Sequence, residues 1–280
     1  MADTDILYDV SQRIATVTLN RPDRLNAYTA SLGDQLRAAM RRATDDPGVR
    51  VIILTGAGRG FCAGADMDNL AAGTASGGAT LAVENPKALP PPFDPASSPD
   101  YQTVHSYFPA VPKPIIAAIN GACAGLGLVY ALYCDQRFAA AGAKFTTAFA
   151  RRGLIAEYGM SWVLPRLVGT ARALDLLFSG RVILAEEAAQ MGLVNEVVAP
   201  EHLLDRTLEY AAELATYSSP TSMSVMKRQV YGDWDRGVVP ATGDAIELMK
   251  ASLRRPDFKE GVASFLQKRN PDFAAVDPSV

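Results

Sequence analysis

The chain has 280 residues, 27 Lys plus Arg against 30 Asp plus Glu for a net charge of −3 at pH 7, and 49% hydrophobic against 20% charged residues. That length and apolar content predict one large folded unit, or one with an appendage, and exclude disorder as its main state. A near-balanced charge with a pI near 5.5 offers no broad basic face, so nucleic acid is not an expected partner.

In chain order, the first segment carries Asp3, Asp5 and Asp9 where a secretory signal would be basic and then apolar, so none is expected. Ile14 to Leu19 alternates apolar residues with threonine and reads as a strand, as does the β-branched run from Val49 to Leu54. Between them Leu32, Leu36, Ala39 and Met40 recur at helical spacing, predicting a helix over Ser31 to Ala43 capped by Ser31 or Thr29. From Leu70 to Pro99 the composition shifts to Ala, Gly, Pro and Ser, which reads either as a functional lid or as a disordered insert. Pro114 to Cys134 contains no charged residue and is long enough to span a bilayer. Its Pro114, Asn120, Gly121, Gly125 and Gly127 instead divide it into a buried strand Ile115 to Ile119, a glycine-rich turn and a helix Leu126 to Tyr133, so membrane insertion is not expected.

Arg137 to Ala140 and Lys144 to Phe149 read as further strands, and Val194 to Val198 as one more. Beyond Gly159 the pattern is almost wholly helical: Ala171 to Ser179, Ala185 to Met191, Glu201 to Thr216, Pro220 to Tyr231, Ala241 to Leu253 and Pro256 to Gln267. The organisation expected is an α/β core over residues 1–199, with a flexible insert at 70–99, and a helical C-terminal part over 200–280.

Common chemical motifs are missing. Gly56, Gly58 and Gly60 fail the dinucleotide fingerprint because Phe61 stands where a glycine is needed, and no P-loop pattern exists. Gly159-Met160-Ser161-Trp162-Val163 falls short of a hydrolase nucleophile elbow. Cys62, Cys123 and Cys134 have no C-x-x-C spacing, and with only His105 and His202 no metal site is expected. Sparse cysteines with no framework suit a reducing compartment, so the expected location is the cytoplasm. His105 reads more readily as a packed histidine than as a catalytic one.

Two glycine-rich turns each follow a strand: Thr55 to Asp66 and Asn120 to Gly127. Such turns expose backbone N–H groups, and two amides aimed at one oxygen stabilise an oxyanion or enolate without a titratable donor. On spacing alone they read more readily as tight turns needed for close packing.

Arg21 to Ala27, Phe61 to Asp66, Lys113-Pro114 through Gly121, Leu164 to Gly169, Ala185 to Ala188 with Gly192 to Val194, and Phe265 to Arg269 together, in this order, resemble the enoyl-CoA hydratase/isomerase (crotonase) superfamily. The resemblance implies an α/β crotonase-like spiral of ββα units with a helical C-terminal part involved in oligomerisation, as a homotrimer or homohexamer. It implies an acyl-CoA substrate, no separate cofactor, and an oxyanion hole from the amides of Ala65 and Leu126. Arg24, Leu25, Ala27, Ala63, Asp66, Met67, Phe265 and Lys268 match positions that line CoA, the last two often from a neighbouring subunit. The two glutamates of typical family hydratases are replaced by Val129 and Phe149, which cannot carry a proton. Glu157 instead falls where some family isomerases and a dehalogenase place a catalytic aspartate, and loses part of its solvation between Ile155 and Tyr158. The expected activity is an enoyl-CoA hydratase-like lyase with Glu157 as its single acid/base. The alternatives are a double-bond isomerase and a catalytically weak acyl-CoA-binding or scaffold protein.

Overall fold

The computed structural model describes residues 4–66, 91–95 and 97–276. Met67 and most of the 70–99 insert lie outside the described residues. Two sheets organise the α/β core. Six strands form the larger one in the order β1 (Ile6–Ser11), β2 (Ile14–Leu19), β3 (Val51–Gly56), β5 (Ile115–Ile119), β7 (Gln136–Ala140) and β10 (Glu196–Val198). β1 and β2 are antiparallel and every later neighbour is parallel. The smaller sheet runs β4 (Gly60–Cys62), β6 (Ala122–Ala124), β8 (Lys144–Thr146), β9 (Ile183–Leu184).

The topology repeats: β3 leads into β4, β5 into β6 and β7 into β8, with first members pairing in one sheet and second members in the other. Each repeat thus turns the chain by one step of the crotonase spiral. The residue pattern explains the burial, since a parallel strand covered on both faces must be apolar throughout. The side chains of β5 are all buried, and so are Val51 to Leu54 of β3.

The helices are α1 (Ala30–Asp45), α2 (Leu126–Tyr133), α3 (Met160–Val168), α4 (Thr170–Ser179), α5 (Ala185–Gln190), α6 (Leu203–Tyr217), α7 (Pro220–Asp233), α8 (Val238–Ser252) and α9 (Pro256–Gln267). Thr29 is the cap of α1, its side chain accepting from the N–H of Leu32. The uncharged stretch is β5, β6 and an α2 whose eight residues are all buried, and among the described residues no helix is long and apolar enough to cross a membrane.

Several elements depart from the pattern. β8 stops at Thr146 and not at Phe149, because Ala148 adopts a positive φ of 63° and Phe149 begins a short 3-10 turn. β4 and β6 are three-residue strands inside what read as turns, too short to show alternation. α3 was obscured by Pro165, which the helix accommodates in its interior. β1 escapes detection because Tyr8, Asp9 and Ser11 interrupt its apolar pattern.

Candidate active site

The two glycine-rich turns meet. Gly64 has φ of 95° and Gly125 φ of 50° with ψ of −120°, conformations that a side chain disfavours. A Cβ on Gly64 would stand 3.0 Å from the carbonyl oxygen of Ala124, and one on Gly125 would stand 3.8 Å from the Cα of Gly64. The peptide groups that carry the amides of Ala65 and Leu126 therefore adjoin one backbone contact. Tyr28 bridges to this strand: its N–H donates to the Gly64 carbonyl at 2.7 Å, and its own carbonyl accepts from Asp66 at 3.0 Å. Strand alternation then turns the Ala65 N–H away from Tyr28. Leu126 opens α2, so its N–H lacks an intrahelical acceptor and lies at the positive end of the helix dipole. Neither amide donates a backbone hydrogen bond among the described residues. Among the described residues, both are therefore open to an anionic oxygen.

Latches around this contact hold several of the positions expected to bind CoA. Asn26, itself at positive φ, accepts from the Arg21 N–H at 2.8 Å and donates to the carbonyls of Ala57 and Gly60 at 3.0 and 2.7 Å. Leu25 packs on Gly60, and its carbonyl accepts from the N–H of Ala63 at 3.0 Å. Ala27 is buried and its carbonyl accepts from the Arg21 guanidinium, which also pairs with Asp66 at 3.0 Å. Asp66 is thereby held as part of the turn. Arg24 is exposed on the same segment. Arg21, Asn26 and Tyr28 were not singled out from the sequence, although an asparagine within a turn is a signal for a side chain that satisfies backbone groups.

Val129 is fully buried in α2, and the ring of Phe149 lies 3.9 Å from where a Cβ on Gly125 would stand. The expected glutamate positions are thus part of an apolar wall. Glu157 is half-buried, its backbone carbonyl accepts from the Met160 N–H at 3.0 Å while its carboxylate has no hydrogen bond or ion pair among the described residues, and burial raises its carboxyl pKa above the ordinary value. The loop that carries it is pinned on its C-terminal side. Tyr158 is held at φ of 52°, its carbonyl accepts from the Tyr133 hydroxyl at 3.2 Å, and its ring meets His105 edge-on at 4.4 Å. Since Tyr133 ends α2 and Leu126 begins it, one helix links the Leu126 amide to the Glu157 loop.

His105 is buried among rings, with Nδ1 and the Tyr130 hydroxyl 2.9 Å apart and Tyr28 edge-on at 5.4 Å. Burial lowers its pKa to about 4, so it is neutral at pH 7. The three cysteines are buried and free, and burial pushes the Cys62 thiol up to about 11, as suits packing residues.

Phe265 and Lys268 stand apart from these residues within the chain. α9 packs through Gly261 on Phe273, whose carbonyl accepts from Arg50 next to the start of β3, whereas Gly60 and Leu25 lie beyond its other end. Phe265 is 82% exposed and Lys268 caps the helix in a left-handed conformation.

A family model described as enoyl-CoA hydratase/isomerase matches residues 9–275. Among relatives, the chain is 35% identical over 269 residues to 1,2-epoxyphenylacetyl-CoA isomerase of Escherichia coli, covering 96% of this chain and 97% of that protein. It is 34% identical over 280 residues to crotonyl-CoA hydratase of Syntrophomonas wolfei, covering 98% and 99%. Among solved structures, an enoyl-CoA hydratase of Mycobacterium marinum is 51% identical with a TM-score of 0.67, covering 84% of this chain and 100% of that one. A probable enoyl-CoA hydratase/isomerase of Mycobacterium abscessus reaches a TM-score of 0.84 at 30% identity, covering 98% and 100%.

Proposed function

Because the chain belongs to the enoyl-CoA hydratase/isomerase family, we propose that it acts on an acyl-CoA thioester as a hydratase-like lyase with one acid/base group. The observation that supports this reading most is the contact of Gly64 with Gly125, which brings together two backbone amides that have no acceptor among the described residues. The thioester carbonyl oxygen accepts from the N–H groups of Ala65 and Leu126, and these stabilise the enolate that forms as the α carbon gains or loses a proton. Glu157, its carboxyl raised above its ordinary pKa by burial and paired with no cation among the described residues, carries that proton. In hydration Glu157 takes a proton from water as oxygen adds at the β carbon, then returns it to the α carbon.

A second reading, double-bond isomerisation, is favoured by Val129 and Phe149. One carboxylate suffices to remove a proton from one carbon and restore it at another, and a dry apolar wall excludes water from the enolate. Arg24, Leu25, Ala27, Ala63, Asp66 and Met67 form the CoA-binding segment in this proposal. Phe265 and Lys268 reach CoA from a neighbouring subunit of a trimer or hexamer, since within their own chain they lie at the opposite end of β3. CoA belongs to the substrate, and no further cofactor is invoked.

Incubation with a trans-2-enoyl-CoA and, separately, a 3-enoyl-CoA tests the reading. A 3-hydroxyacyl-CoA from the former is expected for the lyase, whereas interconversion of the two without added water marks the isomerase. Glu157→Gln is expected to lower turnover at least a hundredfold while acyl-CoA affinity stays within about threefold. Undiminished turnover by this variant removes Glu157 from the mechanism, and acyl-CoA binding with no turnover by the wild type makes the chain a binding protein.

A further inference from the structure

Next to the Glu157 loop lies a cavity of about 480 Å³, and five of its ten lining residues are rings: Tyr101, His105, Tyr133, Tyr158 and Trp162. Three connections tie it to the proposed chemistry. Tyr158 follows Glu157 directly in the chain. Tyr133 ends the helix that Leu126 opens, and seven residues at 1.5 Å each place it roughly 10 Å along the axis from that amide. His105 meets the ring of Tyr28, whose backbone bridges to Ala65. An acyl group bound as proposed above, with its thioester oxygen at Ala65 and Leu126 and its chain running past Glu157, would extend toward this cavity.

Its polar groups are largely engaged by the protein. The Tyr101 hydroxyl donates to the Tyr231 carbonyl and the Tyr133 hydroxyl to the Tyr158 carbonyl, each at 3.2 Å. The carboxylates of Asp100 and Asp235 are met by Ser98 at 2.8 Å and by Arg166 at 2.7 Å. The rings also stand at mutual inclinations: Tyr101 and Trp162 are 6.1 Å apart at 59°, and His105 and Tyr158 are inclined at 71°. Surfaces set at such angles offer both faces and edges to a further flat ring. A flexible polymethylene chain gains only apolar contact from them.

Resting on the proposed acyl-CoA reading, we propose that this cavity selects acyl groups that carry an aromatic ring, with Trp162 and Tyr158 as specificity-determining residues. Aromatic pairing adds to area burial, so an aryl thioester is expected to bind about three- to tenfold tighter than an alkyl thioester of equal carbon count. The test uses saturated, unreactive thioesters, which separates binding from turnover. Calorimetry compares 3-phenylpropanoyl-CoA with nonanoyl-CoA and 3-cyclohexylpropanoyl-CoA, for the wild type and for Trp162→Leu.

The expected result is tightest binding of the phenyl compound, at least threefold ahead of both others, with the margin cut to less than twofold in Trp162→Leu. Equal affinity for the three, a preference for nonanoyl-CoA, or an unchanged margin in Trp162→Leu overturns the proposal while leaving the acyl-CoA reading in place. Failure of all three to bind overturns both. The wild-type comparison decides alone if the variant does not fold.

Discussion

Glu157 and His105 are both displaced in pKa by burial, and the consequences have opposite signs. A carboxyl that titrates above its ordinary value must be ionised to accept a proton, so turnover is expected to fall on the acid side at a higher pH than for a solvated glutamate. The acid limb of the kcat/KM profile measures this, and a limb at the ordinary carboxylate value would show that Glu157 is solvated in the working enzyme. His105 is lowered from 6.5 to about 4, so between these values the unfolded chain binds a proton that the folded chain excludes. Stability is therefore full above about pH 6.5 and is lost as pH falls toward 4, by on the order of 3 kcal/mol. Glu157 acts in the other sense, since its raised value lets the folded state hold the proton longer as pH rises. Urea unfolding at pH 4.5 and 7 is expected to show a smaller acid loss in His105→Asn than in the wild type; equal losses would place the proton-sensitive group elsewhere. Glu157 was visible in the sequence only through the family frame. The ring cage around His105 was not visible at all, because Tyr28, Tyr130 and Tyr158 converge from three separate segments.

Among elements, the short strands matter most to the site. β4 and β6 are three residues each, yet their pairing brings the ends of the two turns together. Gly127 shows how close the approach is, since a Cβ there would stand far inside van der Waals contact with the Cys62 carbonyl oxygen. Gly64→Ala tests the arrangement: it places a Cβ 3.0 Å from the Ala124 carbonyl at a φ of 95°, which must shift the Ala65 amide. Turnover is expected to fall about 10²- to 10³-fold, the effect of losing one oxyanion donor, while circular dichroism remains native. Wild-type rates in a folded variant would show that the amide of Ala65 is not used. The long elements were legible because periodicity needs several residues to declare itself: β2, β5, α2 and α9 follow their patterns to the residue. β4, β6 and β9 contain two or three residues, fewer than one alternation can reveal, and α3 hid behind Pro165.

For the whole molecule, the C-terminal helices leave a large apolar area uncovered. Val238, Val239, Phe265 and Leu266 are each more than 70% exposed on α8 and α9, a pattern that marks surfaces meant for another chain. Light scattering is expected to find a trimer or hexamer, and Phe265→Glu with Leu266→Glu to yield smaller species with weaker acyl-CoA binding. A wild-type monomer at micromolar concentration would leave Phe265 and Lys268 without a route to CoA. The sequence by itself determined the family, the helical tail, the glycine-rich turns and the loss of both expected glutamates, since each of these is local or is carried by ordered motifs along one chain. Only the tertiary structure decided that Asp66 is bound by Arg21, that His105 is neutral in a ring cage, and that Tyr101, Tyr133 and Trp162 share a cavity with the Glu157 loop. The physical reason is distance along the chain. Ion pairing, desolvation and ring contact depend on separation in space, and Arg21 with Asp66, or Tyr28 with His105, become neighbours only when the spiral brings their segments together.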